Sequence, residues 1–285
     1  MLDIRGPDGR APFDRYLAQW NLVPDGQPVG TRSSWLLAVR RAGEPAMLKI
    51  AHEDEERRGG SLMVWWGGEG AARVLEHDGA ALLLERAVGD ASLAAMVRSG
   101  RDDETSRILC AAVAPLHARR DRLPPGVLLG LPEWFSALEP SAARFGGVLR
   151  ESAAAASALL ADPRDIGVLH GDLHHGNVLD FGHRGWLAID PKGLIGERGF
   201  DFANIFCNPD FVSATEPGRL ARQAGVIAAA AGLERERLLR WVLAYAGLSA
   251  AWTLGDGDDA TLALAVARLA AAELAATAET SNVAS

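Results

Sequence analysis

Short apolar runs separated by turn signals dominate the first part of the chain. Residues 35–39 and 46–50 are two such runs on either side of a Gly- and Pro-containing turn, which predicts a β-hairpin. From 53 to 66, a charged start is followed by apolar residues and a Gly-Gly stop, which predicts a helix. Residues 73–75 and 80–85 predict two more strands. We therefore expect a small antiparallel sheet with one helix.

Beyond residue 90 the pattern changes to segments rich in Ala and Leu at helical spacing. The predicted helices are 92–98, 103–119, 132–145, 148–160, 219–231 and 234–254. A strand-like segment from 168 to 189 interrupts them. A sheet followed by helices predicts an α+β protein with two lobes, an N-terminal lobe at 1–86 and a larger, mainly helical lobe at 87–285.

Composition limits the possible functions. The chain has 285 residues, is 48% hydrophobic and 23% charged, and carries a net charge of −8. The acidic balance argues against a nucleic-acid or anionic-membrane binder and is compatible with a small cationic partner. The first ten residues lack a signal-peptide pattern, and the longest uninterrupted apolar stretch, 224–233, is shorter than the roughly 20 residues needed to span a bilayer. We expect a cytoplasmic protein without membrane association, in which Cys110 and Cys207 are buried.

Polar residues are densest in the sequence HGDLHHGN at 170–177. A hairpin loop at 182–185 would place Asn177 opposite Asp190, with Cβ atoms roughly 4.5–5.5 Å apart. Amide and carboxylate oxygens are ligands that Mg²⁺ accepts beside waters and substrate phosphates. Asn177 and Asp190 are therefore predicted to hold a metal–nucleotide complex, while Asp172 meets a hydroxyl group.

Asp172 and Asn177 at this spacing resemble the catalytic loop of the aminoglycoside phosphotransferases, relatives of the protein kinases. The sequence IDP around Asp190 resembles their metal-binding segment. The stretch 167–204, together with WWGGEGAARVL and LLLERA upstream, is most similar to the streptomycin 6-phosphotransferase and hydroxyurea phosphotransferase branch. The matches occur in their proper order over roughly two thirds of the chain.

The resemblance implies a bilobal protein-kinase-like fold that uses ATP and Mg²⁺. Lys49, one of only two lysines among 29 basic residues, would bind the α- and β-phosphates. Glu56 is the best match for the carboxylate that holds this lysine, although Glu53 and Glu55 are close in sequence. The second lysine, Lys192, follows the metal segment and could face phosphate or solvent.

Further roles are implied by the same resemblance. Ser33 and Ser34 would belong to the loop over the phosphates, and the backbone of Glu85 and Ala87 to the hinge that binds adenine. Supporting roles fall to His174 near the γ-phosphate and to Asp201 and His170 beneath the catalytic loop.

The implied reaction moves the γ-phosphoryl group of ATP to a hydroxyl, with Asp172 as base and Mg²⁺ held by Asn177 and Asp190. The leading acceptor is a cationic, streptomycin-like aminocyclitol beside Trp252, Asp256 and Asp258. A solvated acidic loop that caps the next helix is the other interpretation of those carboxylates. Hydroxyurea or another small hydroxylated metabolite is the alternative acceptor.

Two other classes of protein compete with this interpretation. A zinc or iron site of a metal-dependent hydrolase could form from His170, Asp172, His174 and His175, although the rest of the chain has no HxH or HExxH motif. A nucleotide-binding module without turnover is the second rival. A P-loop kinase is disfavoured because the chain lacks GxxxxGK[ST]. Oligomeric state, hydroxyl position and the choice between ATP and GTP stay open.

Overall fold

The computed structural model describes residues 11–283, with side chains up to residue 278. The prediction about the first ten residues falls outside this range. The helices are α1 (Asp14–Gln19), α2 (Asp54–Trp66), α3 (Leu93–Arg98), α4 (Asp102–His117), α5 (Leu131–Trp134), α6 (Leu138–Phe145), α7 (Val148–Ala161), α8 (Phe211–Ala214), α9 (Arg219–Ala231), α10 (Arg235–Gly255) and α11 (Thr261–Val283). The strands are β1 (Leu22–Pro24), β2 (Val29–Gly30), β3 (Ser34–Arg41), β4 (Glu44–Ala51), β5 (Val74–Asp78), β6 (Ala81–Glu85), β7 (Leu129–Gly130), β8 (Ile166–Leu169), β9 (Val178–Asp180), β10 (Trp186–Ala188) and β11 (Leu194–Glu197). Two 3₁₀ segments lie at Gly182–Arg184 and Arg198–Cys207.

The chain folds into two compact units. Among the described residues, the first unit contains the chain from residue 11 to Ala91 together with Arg120–Leu128 and Leu179–Gly193, and the second contains the rest. A single boundary after residue 86 was expected, whereas two later segments join the first unit. The segment around Asp190 thus belongs with the N-terminal sheet.

The sheet of the first unit has the strand order β1-β3-β4-β6-β5, with β2 paired to β3. Its neighbours are antiparallel, and the predicted hairpin is the pair β3 and β4, in which Leu36 lies opposite Lys49. Successive side chains of a strand point to opposite faces. Leu48 and Ile50 therefore enter the core with Phe13 and Leu37, while Lys49 lies on the other face.

Helix α2 confirms the predicted helix after the hairpin. Its first turn contains Asp54, Glu55 and Glu56, where carboxylates interact favourably with the helix dipole. It ends at Gly67, whose φ of 63° is the left-handed conformation common at a helix C-terminus. Trp66 at its end is fully buried, as expected for a core residue.

The second unit is mainly helical around the buried helix α10, which contacts α7 and α11. The prediction of one helix over 132–145 is wrong, because a tight turn separates α5 from α6. A continuous helix would place Pro140 in its interior, where proline removes a hydrogen bond and clashes with the preceding turn. In α6 Pro140 instead falls in the first turn, and the break lets Phe135 pack against Phe200 and Trp241.

Helix α11 was not singled out by the apolar pattern. The window Thr261–Ala278 has a mean hydropathy of 1.5 and is long enough to cross a membrane, judged by length and composition alone. Ala263, Val266 and Ala270 of this helix are buried in the second unit. We therefore describe α11 as a packed helix of this unit, with Arg235 of α10 paired to its Glu273 at 2.5 Å.

Candidate active site

Lys49 is buried on β4 between two carboxylates. Its ammonium contacts Glu56 of α2 and lies 2.9 Å from Asp190 Oδ1. Only 5% of Lys49 is exposed, and this burial alone would lower its pKa, but the two carboxylates outweigh burial and raise it. The lysine therefore stays charged. The structure selects Glu56, rather than Glu53 or Glu55, as the residue that holds it.

Glu56 accepts hydrogen bonds at both carboxylate oxygens. Oε2 faces Lys49, while Oε1 accepts from Ser33 Oγ at 3.0 Å and lies 3.5 Å from Lys192 Nζ. Burial would raise the pKa of this carboxyl, but Lys49, Lys192 and Ser33 hold it below its usual value. Lys192 also reaches Glu55 at 2.7 Å. The sequence left open whether Lys192 faces phosphate or solvent. In the structure its ammonium faces Glu55 and Glu56 of α2.

The turn between β2 and β3 is closed by its own side chains. Thr31 Oγ1 contacts Ser34 Oγ at 3.0 Å and donates to the Ser34 carbonyl at 2.9 Å. Ser34 is buried, whereas Ser33 reaches Glu56. The two serines expected over the phosphates thus differ, because Ser34 shapes the turn and Ser33 contacts the lysine–glutamate pair.

Glu85 ends β6, where the hinge was predicted. Its backbone N–H donates to the Arg73 carbonyl at 3.0 Å, and its carboxylate accepts from the Arg73 N–H and pairs with Arg184. The N–H of Glu85 is therefore committed to the protein. The other predicted hinge residue, Ala87, lies two residues after the end of β6.

Asp172, in the second unit, is held by amide groups. Asn177 Nδ2 donates to Asp172 Oδ2 at 3.1 Å and to its carbonyl at 2.9 Å, while Asn204 Nδ2 donates to Oδ1 at 2.7 Å. Asn204 escaped the sequence reasoning, although it follows Asp201 by three residues in the same GFDFAN segment. That spacing on a 3₁₀ turn places both side chains on one face.

Asp201 supports the loop that carries Asp172. Its carboxylate accepts from the backbone N–H groups of His170 at 2.8 Å and Gly171 at 2.7 Å, and it contacts His117 Nε2 at 2.7 Å. Complete burial would raise the pKa of Asp201, but these partners hold it below its usual value. Pairing of β8 with β11 brings Leu169 opposite Leu194, which places the loop after β8 close to the segment after β11.

The histidines of the loop do not converge on a common point. His170 is fully buried and its Nδ1 accepts from the Asp172 N–H at 3.2 Å. His174 Nε2 lies 3.9 Å from Asp172 Oδ1, and its Nδ1 accepts from Gly176 N–H. Burial lowers the pKa of His175 to about 3, so this ring stays neutral. Within the described residues, no group of three His, Cys, Asp or Glu side chains is placed to hold a metal.

Asn177 in the second unit and Asp190 in the first each offer an oxygen of a type that magnesium accepts. Because Asn177 Nδ2 donates to Asp172, its amide oxygen points the other way and can act as a ligand. Asp190 uses Oδ1 for Lys49, and its side chain is 36% exposed. It adopts a positive φ of 56°, a conformation that Asp tolerates better than most residues. Carboxylate and amide oxygens are ligand types that Mg²⁺ accepts beside waters and substrate phosphates.

The residues predicted to line the acceptor site, which we call the acceptor wall, are Trp252, Asp256 and Asp258, and a second tryptophan lies beside them. Trp252 of α10 packs edge-on against Trp134 of α5, with ring centroids 5.2 Å apart, and both rings are partly exposed. Asp256 and Asp258 are exposed in the loop that follows. Asp259 accepts from the Thr261 N–H at 2.9 Å, at the start of α11. This contact agrees with the other interpretation of the acidic loop, in which its carboxylates cap the next helix. Trp134 was absent from the sequence-based candidates.

An antiparallel sheet that carries a buried lysine–glutamate pair, with an Asp and Asn five residues apart in a second, helical unit, defines a protein-kinase-like phosphotransferase. Solved structures of this class are similar to the chain. A choline/ethanolamine kinase family protein from Mesorhizobium loti aligns with a TM-score of 0.62 and 19% identity over 92% of this chain and 94% of its own. An aminoglycoside phosphotransferase in complex with ADP and hygromycin B aligns with a TM-score of 0.61 and 15% identity, over 92% and 96% of the two chains. The predicted α+β, bilobal kinase-like fold class is confirmed.

The chain belongs to the aminoglycoside/hydroxyurea antibiotic resistance kinases, whose family model matches residues 19–257. It is 51% identical to the streptomycin 3''-kinase of Klebsiella pneumoniae, over 85% of this chain and 92% of that protein. It is 34% identical to the streptomycin 6-kinase of Streptomyces griseus, over 91% and 86%, and 33% identical to the hydroxyurea phosphotransferase of Kitasatospora aureofaciens, over 90% and 75%. The resemblance stated from the motifs is confirmed, and the protein is an ATP-dependent small-molecule phosphotransferase.

Proposed function

We propose that this protein phosphorylates streptomycin with ATP, at the 3''-hydroxyl. The observation that carries the proposal is the 51% identity to a streptomycin 3''-kinase along most of both chains. The motifs alone favoured the streptomycin 6-phosphotransferase branch, whose member from Streptomyces griseus is 34% identical. The acceptor is the same in both, so the difference concerns the hydroxyl.

Asp172 is the proposed base. Its carboxylate accepts one N–H from Asn177 and one from Asn204, and these two bonds fix its orientation. The amide donors orient Asp172 without neutralising it, so the group can orient the hydroxyl and take its proton as the phosphoryl group is transferred.

Lys49 is the proposed ligand of the nucleotide phosphates. Its ammonium stays protonated between Glu56 and Asp190 and can share its charge with a phosphate oxygen. Asn177 and Asp190 would hold Mg²⁺, which supplies charge neutralisation on the transferred phosphoryl group when bound. Positioning and charge stabilisation dominate such transfers, so the protein needs little covalent chemistry of its own.

His174 is proposed to support the γ-phosphate, since its Nε2 lies near Asp172 and its other ring nitrogen is oriented by the Gly176 N–H. Adenine would be bound by the hinge through the Glu85 carbonyl and Ala87, because the Glu85 N–H is occupied by Arg73.

The acceptor is proposed to bind along Trp252 and Trp134, with Asp256 and Asp258 at the rim. Streptomycin carries guanidinium groups, which stack on aromatic faces and pair with carboxylates. Two partly exposed indoles beside an acidic loop suit such a polycation. The small acceptor and the nucleotide are both cytoplasmic solutes, and we propose that compartment for the enzyme.

The proposal is tested by ADP release from Mg–ATP with streptomycin, hydroxyurea, other aminoglycosides and small hydroxylated metabolites. We expect turnover with streptomycin, and NMR of the product should show phosphate on the 3''-oxygen. Phosphate on the 6-oxygen would refute the position but keep the acceptor. Turnover with hydroxyurea and none with streptomycin would refute the acceptor, and the 33% identical hydroxyurea phosphotransferase makes this the main alternative.

The acceptor wall has its own test. Trp252→Ala should raise the KM for streptomycin about tenfold, because stacking of a cation on an indole contributes roughly 1–2 kcal/mol. The KM for ATP should stay within twofold. Trp35→Ala is the matched control, since this partly buried indole packs on His52 in the sheet of the first unit. An unchanged streptomycin KM in Trp252→Ala would remove Trp252 from the acceptor site.

A further inference from the structure

The two lysines of the chain meet at one glutamate. Lys49 contacts Glu56 Oε2, and Lys192 lies 3.5 Å from Glu56 Oε1 and 2.7 Å from Glu55 Oε1. All four residues belong to the first unit. We propose that Lys192 is a positioning residue that fixes the Glu56 carboxylate and ties the segment containing Asp190 to α2. The inference rests on the proposed role of Lys49 as the phosphate ligand.

The orientation of Glu56 follows from the partners of its two oxygens. Lys192 and Ser33 occupy the Oε1 side, so Oε2 is left facing Lys49. A carboxylate with a partner on one oxygen only can rotate and present either oxygen. With both oxygens bound, Glu56 holds the Lys49 ammonium at a defined place, even when Lys49 shares its charge with a phosphate.

Charge balance gives Lys192 a second role. Glu56 and Asp190 both contact Lys49 and therefore repel each other, and Glu55 adds a third negative charge close by. Carboxylates that contact the same ammonium repel each other more strongly where burial lowers the effective dielectric constant. Lys192, whose side chain is only 19% exposed, supplies the second positive charge that offsets this repulsion.

Backbone packing shows how closely the segment 190–193 lies against α2. A Cβ atom added to Gly59 would be 1.9 Å from the Pro191 carbonyl oxygen. Gly193 has a φ of +70°, and a Cβ there would be 2.9 Å from Arg58 Cβ. Lys192 lies between these two contacts in sequence. The ion pairs therefore act across a tight backbone interface in which a small displacement of α2 would also move Asp190.

The test measures nucleotide binding without relying on turnover. In EDTA, Lys192→Met should weaken ADP binding about tenfold, and with Mg²⁺ and saturating streptomycin it should raise the KM for ATP by a similar factor. Loss of a residue that orients a metal ligand typically costs 10- to 100-fold in affinity or activity, and we expect a loss at the lower end of that range here. Lys192→Arg should recover part of the affinity, because it keeps the charge but not the compact ammonium.

Arg57→Met is the matched control. It removes a positive charge from the same helix, but its partner is the exposed Asp54. This variant should bind ADP like the wild type. The inference would be overturned if Lys192→Met and Arg57→Met bound ADP equally well at equal thermal stability. Should Lys192→Met fail to fold, Lys192→Gln, which retains a donor for Glu56, takes its place in the same comparison.

A mutant cycle shows whether Lys192 acts through the two α2 carboxylates that it contacts, Glu55 and Glu56. In a background with both Glu55→Gln and Glu56→Gln, Lys192→Met should change ADP affinity by less than twofold. A full tenfold loss in that background would place Lys192 on the phosphate itself and refute a positioning role. If the wild-type protein binds no ADP and turns over with no acceptor, the proposed function fails; normal wild-type activity with normal Lys192 variants refutes only this inference.

Discussion

Around Lys49, full charges meet in a buried cluster, in which an ammonium lies between the carboxylates of Glu56 and Asp190. Around Asp172, the hydrogen bonds to the carboxylate come from the neutral amides of Asn177 and Asn204. The first arrangement keeps a cation charged despite burial and ready to meet phosphate. The second orients an anion through directional hydrogen bonds from neutral amide groups. The two units thus prepare opposite charges by different means.

The largest expected effect is at Asp172, the carboxylate that is bound by neutral amides. Asp172→Asn should lower kcat by about 10³-fold, since a positioned general base contributes typically 10²- to 10⁴-fold. Binding of ADP should change little, because the lysine–glutamate pair is untouched. Steady-state measurement of ADP release gives kcat, and titration with ADP gives its binding affinity. A kcat within tenfold of the wild type would show that Asp172 is not the base.

At the charged cluster around Lys49, even a substitution that preserves the charge should reduce activity. Lys49→Arg should lower kcat/KM for ATP about 10²-fold, because the planar guanidinium does not fit the compact site between Glu56 and Asp190. Steady-state kinetics with varied ATP measure it. Arg40→Lys, at an exposed ion pair with Asp25, is the control and should be neutral. Wild-type kinetics in Lys49→Arg would mean that only net charge matters at this position.

Stability at acid pH tests the support beneath Asp172. The folded-state pKa of Asp201 is depressed, so its stabilising contribution is complete above the unfolded-state pKa of about 3.9 and is lost as pH falls through the folded-state value. Asp201→Asn should lower the free energy of unfolding at pH 7 by about 2 kcal/mol and flatten its decline in acid. Urea unfolding between pH 3 and 7 measures both. An unchanged pH dependence in the variant would place the acid sensitivity elsewhere.

The smallest effect is expected at the cysteines, which lie outside both charge arrangements. Burial raises the pKa of Cys110 and of Cys207 to about 12, so the thiolate fraction near pH 8 is very small. Both thiols should react with a thiol reagent only after unfolding in urea, and Cys110→Ala should keep full activity. Rapid labelling of either thiol in the folded protein would contradict the burial that the structure shows.

Local patterns predicted most elements of the first unit, because hairpins and capped helices are specified by neighbouring residues. The hairpin β3 and β4, helix α2 and its end at Gly67 all follow from alternation and stop signals. The helix over 132–145 failed because tertiary packing of Phe135 and the position of Pro140 override its composition. The short strands β1 and β2 and the 3₁₀ segment Arg198–Cys207 carry no strong periodic signal.

The sequence by itself determined the chemistry of this protein. The spacing of Asp172 and Asn177, the IDP segment and a lone lysine on a strand are local features, and they were sufficient to predict a kinase-like phosphotransferase. Only the tertiary structure decided which of three neighbouring glutamates holds Lys49, that Asn204 binds Asp172, and that Lys192 is directed at Glu56. Two of these pairs join residues far apart in the chain, and Lys49 and Glu56, although close in sequence, lie on a strand and a helix. The geometry of all three depends on how strands and helices pack, which no local pattern specifies.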